Sequence, residues 1–250
     1  MKKTLTATLI AASLALSACD SDDDDDSPSV DPTDPTAESS TFQITFTNLS
    51  NQLLTRPVVA IHDSSIHLFQ IGEVASDPVR DIAETGADAE LVAFATDAAN
   101  ADVVSAAGVA GDGVIDVPFF TPGQTATLSL TTDQADHVSS AVNMVICTND
   151  AIAGFDSISL PTGTEPLTMT AVVYDAGTRQ NQQDSNTFFP GPCREPGVDV
   201  VEAPEEDPRQ AIGPHAGYAG LVAPSEGPAT GLDFTLNTGD TVLEVEIVRN

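Results

Sequence analysis

The fold of this chain is decided by one stretch, which reads VNMVICTND (142–150), AIAGFDSISL (151–160), LTMTAVVYDAG (167–177) and TRQNQQD (178–184). Its apolar runs, rich in Val, Ile and Met, predict three buried or half-buried strands. Asp and Asn side chains lie where these strands end, beside Gly154 and Gly177. Loops at one end of a sandwich can converge, and calcium takes about six to eight oxygen ligands. The stretch therefore predicts a hard-cation site.

The residues that would supply oxygens to this site share a position at a predicted strand end. They are Asn149, Asp150, Asp156, Asp175, Asn181 and Asp184. The alternative is that these residues only cap strands and open turns, as Asp and Asn commonly do. From the residues alone both interpretations remain open.

The rest of the chain predicts further short strands. Residues 41–50 alternate apolar and polar side chains, and short apolar runs follow at 56–62, 65–72, 113–120, 124–132 and 140–147. Residues 231–238 and 240–250 alternate as well and predict a closing hairpin. Many short strands separated by turn residues favour an antiparallel β-sandwich.

One or two short helical insertions interrupt this mainly β pattern. Ser76, Asp77 and Pro78 form a helix start signal, and Gly86 a stop signal. A second Ala-rich segment at 88–107 predicts another helix, which Gly108 ends. The predicted class is therefore mainly β, an antiparallel β-sandwich with one or two short helical insertions.

The charge of the chain limits its partners. It has 250 residues, 41% of them apolar, and a formal net charge of −30, with Lys2 and Lys3 as the only lysines. Without a basic stripe the chain cannot neutralise phosphates, which excludes nucleic acid as a partner. Strong self-repulsion favours a monomer.

The N-terminus predicts export and a lipid anchor. Residues 1–19 have a charged start, a short apolar core and the sequence LSAC (16–19), which resembles the bacterial lipobox with Cys19 as the lipidated residue. A plain secreted protein is the alternative. Residues 20–40 are rich in Asp and Pro and predict a disordered acidic tether, which leaves 41–250 as the folded domain. The predicted location is the bacterial cell envelope, on the periplasmic or the cell-surface side.

Two cysteines remain in an oxidising compartment. Cys147 and Cys193 predict a disulfide, with two buried thiols as the alternative. The bridge would hold a long Pro- and Glu-rich loop at about residues 190–210 beside the acidic stretch.

At this point the motifs resemble a known family. ASDPVRDIAETG (75–86), the preceding RPVVAIHDSSIHLF (56–69), and CTNDAIAGFDSISL (147–160) with VVYDAGT (172–178) resemble the spondin N-terminal domain, in particular its bacterial lipoprotein members. The resemblance covers roughly residues 41–220. It implies a β-sandwich with calcium among its loops and a non-enzymatic adhesive or matrix-like role, with an extracellular polysaccharide or protein as partner.

Carried over position by position, the family's acidic residues match Asp150, Asp156 and Asp175. Arg179 departs from the pattern, because bacterial members often have an acidic residue there, and its charge would weaken calcium binding. Asn181 and Asp184 would compensate for it as additional ligands.

The residues support a catalytic function less well than a calcium-binding one. His62 and His67, with Asp63 between them, could bind zinc, but their spacing is not a known ligand signature. The chain has no Gly-x-Ser-x-Gly elbow and no Trp. We therefore predict no catalytic residues. The adhesion module has two alternatives. One is a metal-dependent hydrolase that uses the same carboxylates, and the other is a scaffold that binds nothing.

Overall fold

The computed structural model describes residues 38–112, 115, 118–182, 191–199, 201–219 and 223–250. The predicted signal peptide, Cys19, nearly all of the tether and Asp184 lie outside the described residues. Within them the strands are β1 Ser40–Asn48, β2 Leu54–Thr55, β3 Val58–His62, β4 Val104–Val109, β5 Phe119–Phe120, β6 Thr125–Thr132, β7 Val138–Met144, β8 Ala151–Ser159, β9 Leu167–Asp175, β10 Gly213–Pro214 and β11 Thr241–Arg249. The α-helices are α1 Asp77–Thr85 and α2 Ala89–Thr96.

The larger sheet is antiparallel and nearly closed. Its strands follow the order β4-β3-β7-β8-β9-β11-β1-β6, with β10 beside β9, and β2 pairs with β5 in a separate ribbon. The two ends of the path approach one another, because the Gly111 N–H donates to the Thr127 carbonyl at 2.9 Å. The sheet therefore folds over into two layers, which confirms the predicted sandwich.

The interior between the layers is built from alternating strand residues. Phe42, Ile44 and Phe46 of β1 are buried, while the residues between them face outward. The C-terminal strand β11 contributes Val245 and Ile247 to the same cluster. Because β1 pairs with both β11 and β6, the two ends of the described domain are joined in one layer.

The helices cover the other face of β3, β7 and β8. In α1, Val79 and Ile82 are buried and form a second cluster with Val58, Val142 and Ile152. The helix starts after Ser76 with proline in its first turn and ends at Gly86, whose φ of 70° is left-handed. This start and this stop were both predicted from the sequence. None of the described helices is long and apolar enough to cross a membrane.

Two of the predicted elements differ from the structure. Residues 104–107 belong to strand β4 and not to the Ala-rich helix, because α2 already ends at Thr96. Residues 231–238 do not form a hairpin with β11, whose neighbours are β1 and β9. In that segment Phe234 and Leu236 are buried in the main core, and only Leu236 makes a bridge, with Tyr218.

Candidate functional site

A turn between β7 and β8 positions the first acidic residue of the site. The Thr148 hydroxyl donates to the Val145 carbonyl at 2.6 Å and accepts from the Ala151 N–H at 3.0 Å. This hydroxyl closes the turn and leaves Asp150 directly before β8. Asp150 is fully buried.

The Asp150 carboxylate is satisfied on one oxygen only. Its Oδ2 accepts from the backbone N–H of Thr178 at 2.9 Å, from the Thr178 hydroxyl at 3.3 Å and from the Arg179 N–H at 2.8 Å. Its Oδ1 is buried without a hydrogen-bond partner among the described residues. A buried polar atom without a partner costs about 1–3 kcal/mol, and more when the group is charged. This oxygen therefore marks a place where a ligand would be stabilising.

Asp175 brings a second carboxylate to the same place. It ends β9 opposite Ala151, and its Oδ1 accepts from the Gly177 N–H at 2.7 Å. Gly177 has a φ of 67°, and a Cβ there would lie 2.6 Å from the Gln210 carbonyl oxygen, so only glycine fits this turn. Burial, together with the smaller effect of the negative charge of Asp175, raises the pKa of Asp150 to about 7. The two carboxylates thus lie close enough to repel each other electrostatically.

Amide and phenol oxygens complete this group. The Tyr218 hydroxyl bonds the Asn149 Oδ1 and lies 3.4 Å from the Asn181 Oδ1. The Asn181 amide donates to the Asp175 Oδ2, and the Asn149 amide donates to the Gln180 carbonyl at 2.7 Å. Burial raises the pKa of Tyr218, and the charge of Asp150 adds to that shift. We call Asn149, Asp150, Asp175, Asn181 and Tyr218 the Asp150 cluster.

The Asp150 cluster reaches solvent on one side. Asp150 and Asn149 are buried, Asp175 is half-buried and Asn181 is exposed. A cavity of about 150 Å³, lined in part by Asp175, Gly177 and Asn181, opens at the exposed side. Solvent therefore reaches the Asp175 and Asn181 side of the cluster.

His215 packs against this cluster without offering a metal ligand. Its ring lies 4.8 Å from that of Tyr218, and its Nδ1 accepts from the Gly217 N–H at 2.9 Å. In the neutral ring the proton is then on Nε2, which is buried without a partner among the described residues. Burial lowers the pKa of His215, although the Asp175 charge opposes this shift. A protonated Nε2 cannot bind a metal, so the cluster offers mainly oxygens.

The Arg179 guanidinium is paired with acidic residues outside the Asp150 cluster. Its guanidinium pairs with Glu84 of α1 at 2.7 Å and with Glu202 at 3.3 Å, and donates to the Ala203 carbonyl at 2.9 Å. Only its backbone N–H contacts Asp150. Glu84 and Glu202 thus pair with the guanidinium, although Arg179 also lines the cavity beside Asp175. That its charge weakens calcium binding stays a prediction.

A comparison with known families decides the identity of this domain. The Spondin_N family model matches residues 38–211, well over half of the chain. The chain belongs to the spondin N-terminal domain family. A search of curated proteins finds no match.

The spondin domain does not bring Asp156 to the Asp150 cluster. Asp156 lies within β8, six positions beyond Asp150, which corresponds to about 20 Å of extended strand. Its Oδ2 lies 2.5 Å from the His67 Nδ1, and its Oδ1 accepts from the Ser140 hydroxyl at 2.9 Å. The sequence did not separate these carboxylates, because it placed both at the ends of predicted strands. In the structure Asp156 lies inside β8. Asp184, also predicted as a ligand, lies outside the described residues.

A β-bulge holds Asp156 in its own polar network. The register between β7 and β8 shifts here, so that Asp156 and Ser157 both lie opposite Ser140. The Ser140 hydroxyl accepts from the Ser157 N–H at 2.8 Å and lies 2.8 Å from the His62 Nε2. The Nδ1 of His62 faces the Asp63 carbonyl at 2.8 Å. His67 thus contacts Asp156 directly, and His62 is linked to it through the Ser140 hydroxyl.

The disulfide lies at the Asp150 end of β8. Cys147 and Cys193 are bonded at 2.02 Å and are both buried in the main core. The bridge was predicted from the cysteine count, and the structure confirms it. It closes a 46-residue separation, which in the chain-entropy model stabilises the fold by about 4 kcal/mol. It also holds residues 191–193 beside the turn that carries Asp150.

The residues of the Asp150 cluster fit calcium better than zinc. No group of three or more His, Cys, Asp or Glu side chains that could hold a metal occurs among the described residues. Zinc sites use such nitrogen, sulfur and carboxylate sets, whereas calcium also takes amide and carbonyl oxygens. The cluster offers two carboxylates, two amides and a buried oxygen of Asp150 that has no partner. These residues fit the ion that the family resemblance implies.

The sequence did not identify two parts of this site. Tyr218 and His215 lie in a Pro- and Gly-rich segment about 40 positions beyond Asp175, and no local pattern links them to it. The bridge between Tyr218 and Leu236 and the pairing of β10 with β9 bring them to the cluster.

Proposed function

We propose that the protein is a lipid-anchored, non-enzymatic module of the bacterial cell envelope that binds calcium and engages an extracellular polysaccharide or protein in adhesion or matrix contact. The observation that carries the calcium part is the fully buried Asp150 with one oxygen lacking a partner, next to Asp175. The lipobox-like sequence at 16–19 and the tether at 20–40 support the anchor.

The ion would be held by the Asp150 Oδ1, by Asp175 and by the amide oxygens of Asn149 and Asn181. Bound there, it would supply the positive charge that relieves the repulsion between the two carboxylates. The chain's own residues prepare the place: Thr178 and Arg179 fix the Asp150 Oδ2 through their N–H groups. Asp175 is oriented by the Gly177 turn. The ion would thereby link the β7–β8 turn to the segment after β9.

Calorimetric titration of the chelator-treated chain with calcium tests this proposal. We expect saturable binding with about one ion per chain, and loss of most of the affinity in Asp150→Asn and Asp175→Asn. Asp156→Asn is the matched control, since this aspartate lies at the other end of β8, and it should bind calcium as the parent does. Binding that persists in Asp150→Asn, or is lost equally in Asp156→Asn, contradicts the assignment.

Thermal unfolding separates the calcium module from the scaffold alternative. A ligand at about 100 times its Kd stabilises the folded state by about 2.7 kcal/mol. Saturating calcium should therefore raise the melting temperature, and a chelator should reverse the rise. Identical curves in calcium and in chelator would favour the scaffold that binds nothing.

One observation favours the hydrolase alternative. Ser157 has a left-handed φ of 55°, and its hydroxyl lies 3.3 Å from the His67 Nδ1 and 3.2 Å from the Asp156 Oδ2. However, the same ring nitrogen contacts both groups, whereas a catalytic relay uses the two nitrogens of the ring separately. A screen of ester and phosphoester substrates with zinc, manganese and calcium tests this alternative. Activity that is abolished by His67→Ala or Asp150→Ala would replace the non-enzymatic proposal.

A further inference from the structure

The hairpin formed by β8 and β9 opens into a groove. The two strands pair only where Ala151–Ala153 lie opposite Val173–Asp175. The same register continued would place Phe155 opposite Ala171, but the strands part there. Beyond this point β8 pairs only with β7, in one layer of the sandwich, and β9 only with β11, in the other layer.

Two strand edges without partners therefore face each other across this opening. Residues 154–159 of β8 and 167–172 of β9 have a strand neighbour on one side only among the described residues. Each segment is six residues long, which corresponds to about 20 Å of extended backbone. Exposed edges of this kind are templates for pairing with an additional strand.

The walls of the groove are mostly apolar. It has a volume of about 580 Å³. Its large lining side chains are Phe69, Ile71, Phe155, Ile158, Met169 and Tyr174. Ile71 lies on the rim and is 54% exposed, a high value for an isoleucine. Pockets for alternate apolar side chains beside open backbone edges are the features that recognise an extended peptide.

The charge around the groove is negative. Asp156 is the one charged residue among those lining it, and no Lys or Arg lines it. The bulge of β8 and the Ser140 hydroxyl hold Asp156 in place. On the β9 side, the exposed Glu244 and Glu246 of β11 lie opposite Thr170 and Thr168. An occupant with positive side chains complements both sides.

We propose that this groove binds an extended, basic peptide segment of a partner protein, which adds a strand between β8 and β9. The backbone groups of residues 154–159 and 167–172 form hydrogen bonds with the peptide backbone. Alternate apolar side chains of the peptide enter the groove. Its basic side chains face Asp156, Glu244 and Glu246. The proposal rests on the groove alone and not on calcium at the Asp150 cluster, so either can fail without the other.

The probe is a synthetic fluorescent octapeptide of alternating lysine and valine, titrated with the chain at about 150 mM salt to screen distant charges. Two control peptides separate strand addition from charge attraction. In one, alternate backbone nitrogens are methylated, so the charge is kept and the hydrogen-bond donors are lost; in the other, glutamate replaces lysine. We expect the methylated peptide to bind at least about tenfold more weakly, and the acidic peptide not to bind.

Two variants locate the binding in the groove. Ile71→Asn removes the apolar rim and should weaken binding of the lysine–valine peptide about fivefold, a loss of about the size of one buried CH₂ group. Val74→Asn is the matched control, because Val74 is equally exposed at 55%, lies in the same loop and does not line the groove. It should leave binding unchanged.

Three results overturn the proposal: no binding of the lysine–valine peptide, equal binding of its methylated form, or equal effects of Ile71→Asn and Val74→Asn. A chitosan hexamer, a cationic polysaccharide without amide strand geometry, serves as a further arm. If it binds as tightly as the peptide and with the same dependence on Ile71, the groove recognises cationic chains in general and strand addition is wrong.

Discussion

Asp150 lies directly before strand β8 and Asp156 lies within it, and the two carboxylates have opposite surroundings. Asp156 is bonded by Ser140 on one oxygen and by His67 on the other. Asp150 is more deeply buried, accepts hydrogen bonds on one oxygen only and faces the negative Asp175. The chain thus supplies its own partners for Asp156 and leaves the Asp150 end short of positive charge. This difference is the physical reason for expecting a metal ion at Asp150 and none at Asp156.

The pH dependence of the metal-free protein should show this difference most strongly. The pKa of Asp150 is raised to about 7 in the folded state, from 3.8. The folded state therefore binds more protons than the unfolded state between these values, and stability falls as pH rises through about 7. The stabilisation is fully present below about pH 4, and its loss totals on the order of 4 kcal/mol.

Denaturant unfolding in chelator, from about pH 4 to pH 9, measures this loss. Asp150→Asn removes the titrating group and should flatten the decline, and saturating calcium should flatten it in the parent. Asp156→Asn should retain the decline. If the parent and Asp150→Asn show the same pH profile, Asp150 is not the strained group and the comparison fails.

The second largest change in unfolding free energy should come from substituting Arg179, the arginine nearest in sequence to Asp150. Its ion pair with Glu84 is largely buried, with 16% and 10% of the side chains exposed. Arg179→Met leaves Glu84 unpaired and should cost about 3 kcal/mol, which chemical denaturation measures. Because Glu84 and Glu202 already pair with the guanidinium, calcium affinity should change by less than about threefold, or about 0.6 kcal/mol.

The double variant Arg179→Met/Glu84→Gln is the control for that prediction. Once Glu84 is neutral, most of the lost stability should return. A large gain in calcium affinity in Arg179→Met would instead mean that this charge does oppose the ion, as the sequence alone suggested.

The sequence predicted the sandwich, the first helix and the disulfide because these depend on local signals. Alternation in β1 and the Ser76–Pro78 start with its Gly86 stop each need only a few neighbouring residues, and the disulfide needs only the count of cysteines. It could not predict which carboxylates meet. That depends on the turn at Thr148 and on the length of β8, which together separate Asp150 from Asp156. The direction of the Arg179 side chain likewise depends on Glu84, far away in the sequence.

At the opposite end of β8, Asp156→Ala should produce a smaller loss. The substitution removes the carboxylate that contacts the Ser140 hydroxyl through one oxygen and the His67 ring through the other. Both hydrogen bonds are therefore lost. We expect a loss of about 2 kcal/mol in unfolding free energy. Calcium affinity measured by calorimetry should remain that of the parent. Reduced calcium affinity at unchanged stability would mean that Asp156 belongs functionally with Asp150 after all.

The smallest predicted change in unfolding free energy comes from substitutions of Ser157, which separate backbone strain from hydrogen bonding at the β8 bulge. Ser157 has a φ of 55°, which glycine adopts without cost and other residues do not. Ser157→Gly and Ser157→Ala both remove the hydroxyl that contacts His67 and Asp156, but only glycine relieves the backbone. The glycine variant should therefore be more stable than the alanine variant by about 1 kcal/mol in denaturant unfolding. Equal stabilities would mean that the bulge is not strained and that hydrogen bonds from Ser140 alone fix the position of Asp156.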